Sequence, residues 1–384
     1  MLSYFVNRSL FIRDRIPYSV WYTLSFVCGI LWQINSISLL FSCLIIIIAL
    51  IGLAPLQHIL YQKVIILLMF FLGSWRQSMY EFYLQTVHHN ICEKPIALKI
   101  RILDNNYIST TSLENTGTIL AQVLSANHAT TNQSIPTYDA IIQITSRNNH
   151  LLNACHYGDI LLINKAWIQR PTQNILYSLQ RSHAVASTKI GMRQSVQQHQ
   201  PSAGSFLTKC HRIKKSVIAY ANKTLSPLSS YLFCSIFLGF CSPKDTDAAT
   251  IVRTSFAWWG ISHYLARSGL HLALLATATQ ASLTLLPLQY ALKQLIILLL
   301  LAIYTLFSWP SISFLRSGIM ILGNIVCIFL KIPYDSLHAL MYTTMILLLY
   351  NPFYLMSLEF QLSFFITLGL ILSRHASHIN KLKE

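Results

Sequence analysis

Charge is what this sequence has least of: 10% of its 384 residues are Asp, Glu, Lys or Arg and 54% are hydrophobic, where an ordinary soluble domain carries about 25% charged residues. That balance excludes water as the main solvent. Acids are the scarcest, 12 against 28 Lys and Arg, and none occurs between Asp159 and Asp245. Nothing in that stretch neutralises Lys165, Arg170, Lys189, Lys209, Arg212, Lys214, Lys215 and Lys223, so it favours a negatively charged partner. No G-x-x-x-x-G-K-[ST] phosphate loop is present, which excludes ATP hydrolysis by that route. No H-x-H-x-D-H motif is present either, and the eight cysteines lack metal-ligand spacing. The chain is therefore read as a non-enzyme, with no catalytic residue, no metal and no cofactor. His88-His89 is an isolated pair, read as a solvated or interfacial feature. No small-residue cleavage site stands out behind the basic, aromatic N-terminal segment, so the first hydrophobic hairpin is expected to stay in place.

What is there in abundance is long apolar runs. Residues 18–32, 36–53 and 59–75 read as three hydrophobic helices, and Arg8, Arg13 and Arg15 ahead of them put the N-terminus in the cytoplasm. Three crossings place the chain after Trp75 outside. From residue 95 the apolar period changes to two: Ile96, Leu98, Ile100 and Ile102 alternate with Ala97, Lys99 and Arg101, as a half-buried strand requires. Further strands are expected at 108–113, 118–124, 140–145 and 160–168. About five short strands suit a small barrel of the oligonucleotide-binding (OB) type, and they equally suit another small β-barrel or a sandwich. Cys92 and Cys155 fall in this insert, where an oxidising compartment leaves a disulfide open.

Residues 171–227 are basic and Gln/Ser-rich and read as a surface linker leading into an amphipathic helix over 206–225, laid along the membrane. Apolar segments come next at 228–240, 255–278, 292–309, 312–330, 337–350 and 353–372. The expected fold class is thus a polytopic α-helical membrane protein with an inserted extracytoplasmic OB-like β-barrel. Its parts are helices over 1–76, the β-domain over 77–170, the basic linker and amphipathic helix over 171–227, and a second helical region over 228–384.

Three segments concentrate polar chemistry in this apolar setting. In the first, Gly260 to Leu272, His263, Arg267 and His271 are spaced by four and share one face of a helix. Ser268-Gly269 lets that helix bend or approach another backbone. Ionisable residues in such a place face a bundle interior or a water-filled path, the alternative being interfacial side chains that reach to head groups. The second segment carries Arg316 after Pro310-Ser311 at the start of a long apolar run. In the third, Glu359, Gln361 and Ser363 put an acid, an amide and a hydroxyl among lipid-compatible residues. Pairing of Glu359 with Arg267 or Arg316 would spare both charges unpaired burial; a loop-end Glu at head-group level is the alternative.

In this order the three segments resemble the ComEC family of competence proteins, whose membrane domain carries motifs close to H-x-L-A-x-S-G-L-H, P-S-x-x-R and G-F-Q-L-S-F. Here they stand as residues 263–271, 310–316 and 359–364, with Arg267 where a small or apolar residue is usual, two extra residues before Arg316, and Glu359 in place of glycine. Gly158-Asp159-Ile160 also looks like a strand near the end of that family's OB domain. Many family members continue into further spans and a metallo-β-lactamase-like domain, so the chain reads as a short form.

The resemblance implies a channel in the inner membrane for uptake of single-stranded DNA during natural transformation. The path would be lined by His263, Arg267, Ser268, Gly269, His271, Arg316, Glu359, Gln361 and Ser363. DNA would be gathered by Lys165, Trp167, Arg170, Lys209, Arg212, Lys214 and Lys215. The partners implied are single-stranded DNA, the lipid bilayer, and a separate DNA receptor, helicase and nuclease, with a homo-oligomer left open. Two other classes compete: a secondary transporter of a small anionic solute, and a non-conducting membrane protein that binds DNA or a partner.

Overall fold

The computed structural model describes residues 18–33, 60–107, 117–129, 133–146, 157–171, 184–190, 196–200, 206–238, 246–259, 269–308 and 311–381. They fall into two compact units, Tyr83–Gly318 and Met1–Phe82 with Ile319–Glu384.

In the first unit, alternation of side chains decides the architecture. β1 (Pro95–Tyr107) turns Ile96, Leu98, Ile100 and Ile102 inward, none more than 2% exposed, while Lys99 and Arg101 face out. β1 pairs antiparallel with β2 (Gly117–His128) along one edge and with β5 (Ile160–Gln169) along the other. β2 is followed by β4 (Ile141–Ser146), β4 runs parallel to β6 (Ala186–Ile190), and β6 meets the end of β5. The order β1-β2-β4-β6-β5 thus returns to β1 as a closed five-stranded barrel, consistent with an OB-like domain. Two additional strands, β3 (Ser134–Ile135) and β7 (Val196–Gln200), attach to β2 and β5. Val123, Ile142, Ile144, Ile163 and Ile168 complete the interior, each worth about 1.5–3 kcal/mol of burial.

The barrel takes its fifth strand from Ala186–Ile190, inside the stretch read as linker. That strand is five residues long, and Ala186 and Thr188, its buried residues among those whose side chains are described, are small, so no run of large alternating apolar residues announces it. The strand expected at 108–113 lies outside the described residues. Cys92 is a free, buried thiol in this structure; Cys155, the other half of the disulfide option, lies outside the described residues.

Helix α1 (Tyr18–Gln33) falls where the first hydrophobic helix is expected, and the second, 36–53, lies outside the described residues. Helix α2 (Leu60–Ile91) runs past Trp75 to 32 residues, about 48 Å. Its polar continuation holds no Gly or Pro to break it and pairs locally, Gln77 donating to Glu81 one turn on at 2.9 Å. In the second unit α1 and α2 touch backbone to backbone: a Cβ on Gly29 would run into the Phe70 carbonyl, and one on Gly73 into that of Phe26.

After the barrel come α3 (Phe206–Thr224), α4 (Pro227–Phe233) with a π turn over Cys234–Leu238, α5 (Thr246–Trp258), α6 (Gly269–Thr284), α7 (Tyr290–Phe307), α8 (Ile312–Leu330), α9 (Ser336–Tyr350), a 3₁₀ turn (Pro352–Met356) and α10 (Leu358–Lys381). The single helix expected over 255–278 is interrupted: α5 stops at Trp258, Trp259 sits in a turn, and α6 begins at Gly269. Among the described residues one helix, α8, is long and apolar enough to cross a bilayer, and Pro227–Leu238, Tyr290–Thr305 and Ser336–Tyr350 are shorter apolar helices. Several helices turn large apolar side chains outward in stripes, Val64, Leu68, Phe71 and Trp75 on α2 and Leu292, Leu295, Leu299 and Ile303 on α7. This reverses the amphipathicity of a helix whose outer face meets water.

Candidate functional site

The first two polar segments meet. Gly269 opens α6 and is buried, and a Cβ at that position would overlap Ser317 and crowd the Ser313 carbonyl on α8. One turn farther along α6, Leu272 packs over Gly318 at 3.6 Å from where a Cβ would stand. Ser313 and Ser317 form a small-xxx-small step, the arrangement that lets two apolar helices approach with little between their backbones. Ser311 caps α8 by accepting the Phe314 N–H at 3.2 Å. Phe314 is 1% exposed and packs against Tyr304 at 5.7 Å between ring centroids. Arg316 stands half-buried on the same helix and His271 half-buried on α6. His263, Arg267 and Ser268 lie outside the described residues.

The third segment is built around a capped helix start in the other unit. Ser357 accepts the Phe360 N–H at 3.2 Å, and the Gln361 amide reaches back to the Leu355 carbonyl at 2.9 Å. Glu359 therefore sits in the first turn of α10, where the helix dipole favours an acid. That gives its charge a local reason. Phe360 and Phe364 are buried and stack at 4.3 Å, and Ser363 is half-buried one residue before Phe364.

Sequence reasoning missed Arg76, which anchors the turn before this helix. Its guanidinium donates to the Leu349 and Tyr350 carbonyls at 2.7 and 3.0 Å, a cation on the C-terminal end of α9. It also lies 5.6 Å from the centre of the Tyr80 ring, and Tyr80 in turn meets Phe353 at 5.1 Å. A basic residue just after Trp75 is the signal that could have found it, hidden by its place at the end of an apolar run.

On the barrel and its neighbour α3, Lys165, Trp167, Arg170, Lys209 and Arg212 are exposed and Lys215 is half-buried. Lys214 departs from expectation. It is 4% exposed, on the face of α3 that also buries Cys210, Ile218 and Ala221, because residues spaced by three and four share one helical face. The exposed basic set on α3 is thus Lys209 and Arg212, with Lys223 a few turns on. His211 stacks on Tyr157 with ring centroids 4.2 Å apart and planes 6° from parallel, tying α3 to the turn that precedes β5. Lys99 and Arg101, which carry the outer face of β1, were legible as the polar half of its alternation but not counted as ligand residues.

Burial, reinforced by Glu93 and opposed by Arg170, pushes the Cys92 thiol up to about 11. Among the described residues no group of three or more His, Cys, Asp or Glu is placed to hold a metal ion.

Residues 245–383 match the family model described as Competence protein. A stretch of 173 residues is 29% identical to ComE operon protein 3 of Bacillus subtilis (strain 168), covering 44% of this chain and 21% of that relative. The chain therefore matches about a fifth of that protein's length. No solved structure matches.

Proposed function

We propose that this chain, a competence protein of the ComEC family by these similarities, forms a multi-pass channel in the cytoplasmic membrane through which single-stranded DNA enters during natural transformation. The observation that carries this is the contact of Gly269 with Ser313 and Ser317, which joins two of the three polar segments in one helix pair. Two segments far apart in sequence, each bearing a half-buried polar side chain, His271 and Arg316, acquire a common location. Such groups within an apolar bundle face an interior or a water-filled path. Outward apolar stripes on α2 and α7 suit lipid as the surrounding solvent.

The barrel, outside the membrane, receives the strand, and the acid-free basic stretch from Asp159 to Asp245 attracts its phosphates by counterion release. The motif resemblance assigns His263, Arg267 and Ser268, and with them Glu359, Gln361 and Ser363, to the same function. The chain itself performs no catalysis. A separate receptor, helicase and nuclease deliver, pull and trim the DNA.

The test is cytoplasmic arrival of labelled donor DNA in cells lacking the gene, complemented by the intact chain or by Arg267→Glu at matched membrane levels. The channel predicts entry with the first and DNA stranded outside with the second. Equal entry with both removes Arg267 from the path, and no entry with either leaves the chain a DNA- or partner-binding membrane protein.

A further inference from the structure

The two exposed cations of β1 and the exposed tryptophan of β5 stand on neighbouring strands of one outer wall of the barrel. In the antiparallel register Trp167 lies beside Pro95, Lys99 beside Leu162 and Arg101 beside Ile160. On the other side of β1, Lys99 lies beside Ser125 and Arg101 beside Gln122 of β2. Because the inward set on β5 is Leu161, Ile163, Ala166 and Ile168, strict alternation is broken once. Two residues, Asn164 and Lys165, both face out between Ile163 and Ala166, where the register shifts opposite Ala97. This bulge re-aims the strand. Without it Lys165 would point into the core and Trp167 would change faces with it.

The wall therefore presents Trp167, 50% exposed, then Lys165, Lys99 and Arg101 along a line that runs with β1 from Pro95 to Arg101, about 20 Å at strand spacing. Two carboxylates bound it. Glu93 donates its N–H to the Ile168 carbonyl at 2.9 Å, beside the end carrying Trp167, and Asp139 accepts from the Gln122 amide at 3.3 Å at the other end. Cations in the middle and acids at the margins confine a polyanion to the line between them. A half-exposed tryptophan offers a π-face to a base, and only an unstacked base can use it.

We infer that this β2-β1-β5 wall is where the barrel holds a nucleic-acid strand, with Lys99, Arg101 and Lys165 on the phosphates, and that Trp167 makes it prefer single strands to duplex by stacking on a free base. The inference rests on the proposed role in nucleic-acid uptake and assigns that role to a face.

The experiment uses the full chain in lipid nanodiscs and measures binding of a fluorescent oligothymidine and of a hairpin duplex of matched length across a salt series. Trp167→Ala is expected to weaken single-strand binding by about 5- to 150-fold, the cost of losing one stacked base, with duplex binding nearly unchanged, and Trp167→Phe is expected to recover most of it. Lys99→Gln with Arg101→Gln is expected to weaken both ligands and to lower the single-strand salt slope by about 1.4, at ~0.7 per phosphate contact. Unchanged binding in these variants, with loss instead in Lys209→Gln with Arg212→Gln, would move the site to α3 and overturn the assignment. An equal loss for duplex and single strand in Trp167→Ala would overturn the preference. If the intact chain binds neither oligonucleotide, the nucleic-acid reading of the barrel fails before its face is at issue.

Discussion

Gly269 and Ser317 stand so close that a single methyl group on the glycine would overlap the serine hydroxyl. Gly269→Ala is therefore expected to destabilise the helix pair by about 1–3 kcal/mol through overpacking. Ser317→Gly in the same chain removes the overlapping side chain and is expected to recover a large part of that loss. Thermal unfolding of the detergent-solubilised single and double variants checks both, and an additive loss in the double variant would mean that the two positions do not share the contact.

Arg76 caps α9 from another helix. Replacing it by Gln removes the charge-assisted bonds to the Leu349 and Tyr350 carbonyls, each worth about 1.5–3 kcal/mol when a charged group takes part. Arg76→Lys keeps the charge but not the fork and is expected to lose less. The order intact, Lys, Gln in the midpoint of thermal unfolding is the expected result.

Asp335 caps α9 from its other end, accepting the Leu337 N–H at 2.8 Å and bonding the His338 ring at 2.8 Å. Partial burial pushes its carboxyl up, but these bonds and the nearby imidazole outweigh it and hold the group below the usual carboxylate range. A carboxyl depressed in the folded state contributes stability that is present above its unfolded value, near ~3.9, and lost as pH falls through the folded one. The start of α9 is therefore expected to lose hydrogen-exchange protection on acidification below about pH 4. Asp335→Asn keeps a capping side chain and is expected to remove that pH dependence.

Cys92 offers a probe of barrel integrity. With its thiol buried and pushed up to about 11, little thiolate exists at neutral pH, and the thiolate is the reactive form. In a variant whose other cysteines are replaced by serine, maleimide labelling at pH 7 is expected to be slow and to accelerate only with denaturant. Rapid labelling of the native chain would place the thiol at the surface.

The sequence revealed most where large apolar residues carry a period. Ile96, Leu98, Ile100 and Ile102 announce β1 and its inward face, and all four are buried. The matching outward residues Lys99 and Arg101 were visible in the same pattern, yet their role emerges only once β5 is laid beside them. A β-bulge at Asn164-Lys165 cannot be read from one strand, since it is a mismatch between two. Likewise Ala186–Ile190, at five residues, is too short to be seen alone and becomes a strand because it pairs with both β4 and β5. The extension of α2 to Ile91 was hidden for a different reason: apolarity ends near Trp75 and helicity does not. The setting of Gly269 and Arg316, small or charged in apolar runs, drew attention to both, whereas the contact of Gly269 with Ser317 joins positions too distant for any local pattern.

The parallel pairing of β6 with β4 also sets an order of events while the chain is made. β4 ends at Ser146 and its partner begins at Ala186, so at roughly 5–20 residues per second the growing chain carries an open β4 edge for several seconds before the strand that covers it leaves the ribosome. A bare edge is a template for pairing with other chains, which makes this interval the window in which a chaperone or an early-folding β1-β2-β5 layer has the most to protect.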